Sequence, residues 1–107
     1  MEFLVALELR IPDGSPELEV ERRFRAEAAA AAGLADAGHL IRLWRPADGP
    51  ETTTLGLYQA SNEAELDELL GALPLADWLR TSVTPLAPHP NDPASTLPSG
   101  AVAWSSS

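Results

Sequence analysis

At 107 residues, 45% of them hydrophobic, the chain has the size of one domain and too little length for two separate cores. It has no cysteine, which excludes disulfides, thiolate nucleophiles and cysteine-built metal centres; its two histidines, His39 and His89, stand far apart, so no metal site is expected. A net charge of −9 opposes nucleic-acid phosphates, and no apolar run approaches the ~20 residues of a membrane-spanning helix, so neither nucleic acid nor membrane is an expected partner.

The chain opens on Glu2-Phe3-Leu4-Val5 with no basic segment, apolar run and small-residue cleavage site, so a cytoplasmic protein is expected. All seven positive charges are arginines, a usage that with the many Ala and Pro residues reads as coding bias. Residues 2–10 alternate, with Phe3, Val5, Leu7 and Leu9 on one face, which predicts a strand. Pro12, Asp13, Gly14 and Pro16 form a loop of turn residues. From 17 to about 34 the chain is rich in Ala, Glu, Arg and Leu and predicts a helix, closed by Gly38. Residues 39–45 predict a second strand, stopped by Pro46, and a polar loop leads to a third strand at 53–59. Asn62 and Glu65 have the spacing of a capping box, in which side chains take up the free amides of a helix's first turn. The helix they start runs to about Leu73, with Leu66, Leu69, Leu70 and Leu73 on one stripe. Pro74 ends it or begins a short turn through Trp78, and residues 81–86 predict a fourth strand whose Pro85 belongs near the strand's end or on an edge.

The order βαββαβ predicts an α+β, ferredoxin-like domain: a four-stranded antiparallel sheet with both helices on one face, of the dimeric α+β barrel type. Two helices leave the other face bare, so a homo-oligomer, a dimer or an assembly of dimers, is expected. The domain is expected over 1–92, followed by a Pro- and Ser-rich tail over 93–107 that is either flexible or an intersubunit arm.

The first helix carries the main chemical anomaly. At 100° per residue Val20, Phe24, Ala31 and Leu34 share an apolar sector, and Glu27 falls in its middle. A carboxylate facing the sheet is desolvated and is either paired with a cation or poised as a general base; a slightly rotated helix would instead bring it to solvent. On the second strand a simple alternation puts His39, Ile41, Leu43 and Arg45 on one face and Leu40, Arg42 and Trp44 on the other. Arg42 and Arg45 are candidates to hold a substrate carboxylate in a bidentate fork, or else are surface arginines whose stems cover Trp44. Tyr58 is a candidate hydroxyl donor or a packed core tyrosine, and His39 a further candidate or an exposed residue at a strand's start. Arg22, Arg23 and Arg25 read as ordinary surface charges. No G-x-S-x-G elbow or phosphate-cradling glycine loop occurs.

Taken in order, the EFLV opening, the spacing to Gly38, the LWR at 43–45, Gly56-Leu57-Tyr58, the LPL at 73–75 and the Val-Thr-Pro-Leu ending followed by His89-Pro90 resemble the muconolactone isomerase family. The resemblance covers residues 1 to about 93. It implies the fold derived above, assembly from dimeric blocks and no metal or organic cofactor. It also implies an isomerase that moves a proton within a small unsaturated lactone bearing a carboxymethyl arm. The family's base is a glutamate on the first helix, which aligns without gaps with Glu27. Two departures stand near the expected pocket mouth: a 48–54 loop about two residues longer, and Thr54-Leu55 in place of an Asn-aromatic pair. They keep open a recruited cyclase, dehydratase or isomerase acting on a biosynthetic intermediate, and a non-catalytic ligand-binding oligomeric domain.

Overall fold

The computed structural model describes residues 1–94; of the tail predicted over 93–107, all from residue 95 onward lies outside the described residues. Strands β1 (Glu2–Leu9), β2 (Leu40–Trp44), β3 (Thr53–Gln59) and β4 (Leu79–Leu86) form one sheet in the order β2-β3-β1-β4, every neighbouring pair antiparallel. Helices α1 (Glu17–Asp36) and α2 (Glu63–Gly71) complete the ferredoxin-like βαββαβ order, with a short 3-10 turn at Ala76–Trp78 before β4.

Alternation on β1 decides which face is core. Phe3, Val5 and Leu7 are buried, and Phe3 pairs with Tyr58, Val5 with Gly56 and Leu7 with Thr54. Leu66 and Leu70 of α2 and Ala30, Ala31 and Leu34 of α1 pack on this same face. Phe3, Val5 and Leu66 are wholly shielded, and each such side chain contributes about 1.5–3 kcal/mol on leaving water. The helices therefore cover one face, and the other presents Leu4, Ala6, Leu55, Leu57 and Trp44 with no layer over it among the described residues.

Local signals account for the element ends. The Asn62 side chain accepts from the Glu65 amide at 2.8 Å, and the Glu65 carboxylate accepts from the Ser61 amide at 2.9 Å, so a capping box does start α2. Helix α1 runs to Asp36, two residues past the expected end, and stops in a Schellman motif. Gly38 adopts φ +82° there, while its amide reaches the Ala35 carbonyl and that of His39 the Leu34 carbonyl. Pro85 lies on β4, an edge strand, where its missing N–H leaves no gap in the ladder.

Other details also differ from the expectation: α2 ends at Gly71, two residues short of Leu73, and β2 spans Leu40–Trp44 instead of 39–45. Strand β4 begins at Leu79 instead of residue 81, because Leu79 and Arg80 already pair with Leu9 and Glu8. The register between β2 and β3 shifts at Ile41, where β2 advances two residues against one on β3. That bulge breaks the expected alternation: Leu40, paired with Tyr58, and Leu43, paired with Gly56, share the helix side. Arg42 and Trp44 turn to the uncovered side.

Candidate active site

Between α1 and one end of the sheet lies a cavity of about 400 Å³. Leu7 and Leu9 of β1, Thr54 and Tyr58 of β3, and Leu43 and Arg45 beyond the bulge form its sheet wall. Phe24, Glu27, Ala28, Ala31 and Leu34 come from α1, and Leu73, Leu75 and Leu79 close one end. The sector read from helical periodicity does face the sheet. No residue of α1 is fully buried, however, because the helix stands off the sheet around this cavity.

Glu27 is half-buried in that wall. Its Oε1 accepts the Leu75 amide at 3.0 Å, and no guanidinium lies within ion-pair distance of it among the described residues. Desolvation raises its pKa above the ordinary carboxylate value, and the Leu75 hydrogen bond opposes that rise in part. Tyr58, 3% exposed, is pushed up to about 12, first by burial and then by the negative charge of Glu27. The two groups thus face each other electrostatically: a carboxylate with raised proton affinity and a phenol held protonated. Gly56 makes room for this arrangement, since a methyl group there would stand 2.5 Å from Cε1 of Tyr58 and 3.2 Å from Leu43.

The other candidates separate. Arg45 lines the cavity at its exposed rim, together with Glu51 and Thr52 of the loop before β3. Arg42 does not line it; its guanidinium lies 5.1 Å from the Trp44 ring on the uncovered side, as the bulge dictates. His39 lies beyond the far end of the cavity, beside Gln59, Ala60 and Ser61, with Nδ1 2.9 Å from the Gln59 carbonyl. The structure therefore brings Glu27, Tyr58 and Arg45 together and leaves Arg42 and His39 out. Thr54, near the start of β3, is part of the cavity wall. Among the described residues, no three His, Cys, Asp or Glu side chains converge as a metal site. No helix there is long and apolar enough to cross a membrane.

The family model for muconolactone delta-isomerase matches residues 1–92 of this chain. The chain belongs to the muconolactone delta-isomerase family. It is 33% identical over 92 residues to muconolactone delta-isomerase 1 of Acinetobacter lwoffii, spanning 85% of this chain and 93% of that protein. To the muconolactone delta-isomerase of Cupriavidus pinatubonensis it is 30% identical over 91 residues, spanning 85% and 97% of the two chains. In fold it is similar to a crystal structure of muconolactone isomerase, with a TM-score of 0.80 at 23% identity over 89% of this chain and 97% of that one. The 5-chloro-2-hydroxyhydroquinone dehydrochlorinase of Burkholderia phenoliruptrix shares the fold more distantly, with a TM-score of 0.58 at 16% identity over 81% of this chain and 94% of that one. Membership of the muconolactone delta-isomerase family places the cavity of α1 and β3 in a scaffold shared along almost the whole described chain.

Proposed function

We propose that this protein is a cofactor-independent isomerase that carries out a 1,3 proton shift in a muconolactone-like butenolide, with Glu27 as the base. The observation that carries the reading is a carboxylate in an apolar cavity, with no cation paired to it among the described residues and its proton affinity raised by burial. Family membership supplies the substrate class.

In the proposed reaction Glu27 takes the proton from the ring carbon that bears the side arm. The electron pair left behind spreads through the ring double bond onto the lactone carbonyl oxygen, giving a dienolate. The Tyr58 hydroxyl, protonated throughout the neutral range, donates to that oxygen and stabilises the charge as it develops. Return of a proton two ring carbons away, to the carbon next to the carbonyl, completes the shift of the double bond. Arg45 at the rim pairs with the carboxylate of the side arm and orients the ring against Glu27.

Arg45→Ala then raises KM about tenfold or more with a smaller effect on kcat, whereas Arg42→Ala leaves both within about twofold. Steady-state kinetics on the two variants checks the assignment, and the opposite ranking would reassign the anchor.

The uncovered sheet face belongs to the same reading. Leu4, Ala6, Leu55, Leu57 and Trp44 form an apolar surface that a second copy of the chain covers in the proposed oligomer. Sedimentation equilibrium at micromolar concentration is expected to give at least twice the 11.4 kDa chain mass, and a clean monomer would contradict it.

One feature favours a second reading. The cavity, about 400 Å³, is larger than a small lactone fills by itself. A recruited isomerase or cyclase acting on a larger intermediate would use that space, and it would leave muconolactone unconverted.

A further inference from the structure

Arg23 precedes Glu27 by one turn on the same side of α1. Its neighbour Arg22 has a side chain 72% exposed, but that of Arg23 is only 26% exposed. Its guanidinium lies 4.2 Å over the Trp78 ring, with Nε 3.6 Å from Glu19. Nη1 donates to Asp77 at 2.7 Å and to the Pro74 carbonyl at 3.2 Å.

The Pro74 carbonyl and the Leu75 amide belong to one peptide unit. The peptide is trans, so its C=O and N–H point in opposite directions. Arg23 grips that unit by its oxygen while Glu27 accepts its N–H at 3.0 Å. Two side chains one turn apart on α1 therefore hold a single peptide plane from both ends. We propose that Arg23 is a positioning residue for Glu27: it fixes the Pro74–Leu75 peptide so that its N–H stays aimed at the carboxylate.

The inference rests on the reading of Glu27 as the base only for its effect on turnover. The Leu75 hydrogen bond is the interaction that opposes desolvation of Glu27. A guanidinium on the peptide oxygen also polarises the amide and strengthens its N–H as a donor. Free of Arg23, the peptide can rotate its N–H away, and burial then acts on the carboxylate unopposed. The other charged or titratable groups facing Glu27 are Tyr58 on β3, Arg45 after β2 and Glu51 in the following loop; Asp77 and Glu19 are engaged with Arg23.

The test is Arg23→Met, which keeps an apolar stem over Trp78 but loses every donor, with Arg23→Lys as the conservative variant. Two readouts are needed. The first is the pH titration of the Glu27 side-chain carboxyl carbon by NMR, without substrate; the second is the pH–rate profile. In Arg23→Met the carboxyl titration and the acidic limb of the profile both move up by about one pH unit, the scale of losing one hydrogen bond to a charged group. KM changes by less than about twofold, because Arg23 is not part of the cavity wall. Arg23→Lys falls between the parent and Arg23→Met.

A folded Arg23→Met protein whose Glu27 carbon titrates as in the parent overturns the proposal. Should that variant not fold, Arg23→Gln carries the test, with the same upward movement expected and an unmoved titration overturning it. If the titration moves while Glu27→Gln retains full isomerase activity, the positioning role stands and the base assignment fails.

Discussion

Glu27→Gln is expected to lower isomerisation by ~100-fold or more, the usual lower scale for removing a positioned acid or base. The change is conservative in shape, and the amide oxygen can still accept the Leu75 N–H that Oε1 accepts now. The fold should therefore survive, and stability separates a lost base from a damaged scaffold. A carboxyl whose folded pKa is raised stabilises the native state most below its unfolded value, near ~4.3, and loses that contribution as pH rises through the folded value. Glutamine has no such dependence. Glu27→Gln should accordingly melt at a temperature equal to or above that of the parent at pH 7 to 8, with the difference closing toward pH 4. A variant that is both inactive and much less stable at neutral pH would point to a structural role. In the parent, kcat/KM should rise with pH along a limb set by a carboxylate pKa above ~4.3.

The second large effect is expected at Tyr58. Tyr58→Phe keeps the ring that packs across Gly56 and removes only the hydroxyl, so the melting temperature should change little. If that hydroxyl donates to the dienolate, kcat should fall by ~100-fold or more, the scale measured for loss of one preorganised donor. KM should move less, because the bond strengthens as the negative charge develops. Since Tyr58 is pushed up to about 12, no alkaline limb from it should enter the profile below pH ~10. The charge of Glu27 contributes to that rise, so an ultraviolet titration of Tyr58 in Glu27→Gln should lie below the parent's while staying above the ordinary tyrosine value.

Residues whose neighbours are local in sequence were readable in advance. Glu27 was placed by helical periodicity within α1, and the α2 start by the three-residue spacing of Asn62 and Glu65, both set by a single turn of helix. The β1 faces followed from strict alternation. The arginines of β2 could not be assigned in this way. One extra residue, Ile41, reverses the faces after it, and nothing in HLIRLWR marks a bulge in the way a glycine would. Arg23 escapes a reading of the sequence for a different reason. Its acceptors, Pro74 and Asp77, are 51 and 54 residues away, so they meet it only once the chain has returned past α1. The one available sign was its place one turn from Glu27. The start of β4 is not legible because Trp78-Leu79-Arg80 contains no turn residue to separate the 3-10 turn from the strand. His39 shows the limit of judging a residue by type alone: its position at the strand's start puts it by Gln59, away from Glu27.

The most direct test of the account is proton NMR of muconolactone in deuterium oxide with the parent protein and with Glu27→Gln. The signal to follow is the proton on the ring carbon that bears the side arm, because its loss reports the step assigned to Glu27 whether or not the product is released. The parent should remove it catalytically, and Glu27→Gln should do so at least ~100-fold more slowly. Equal rates in the two proteins would contradict the assignment of Glu27 as the base, and no loss with the parent would show that this lactone is not the substrate.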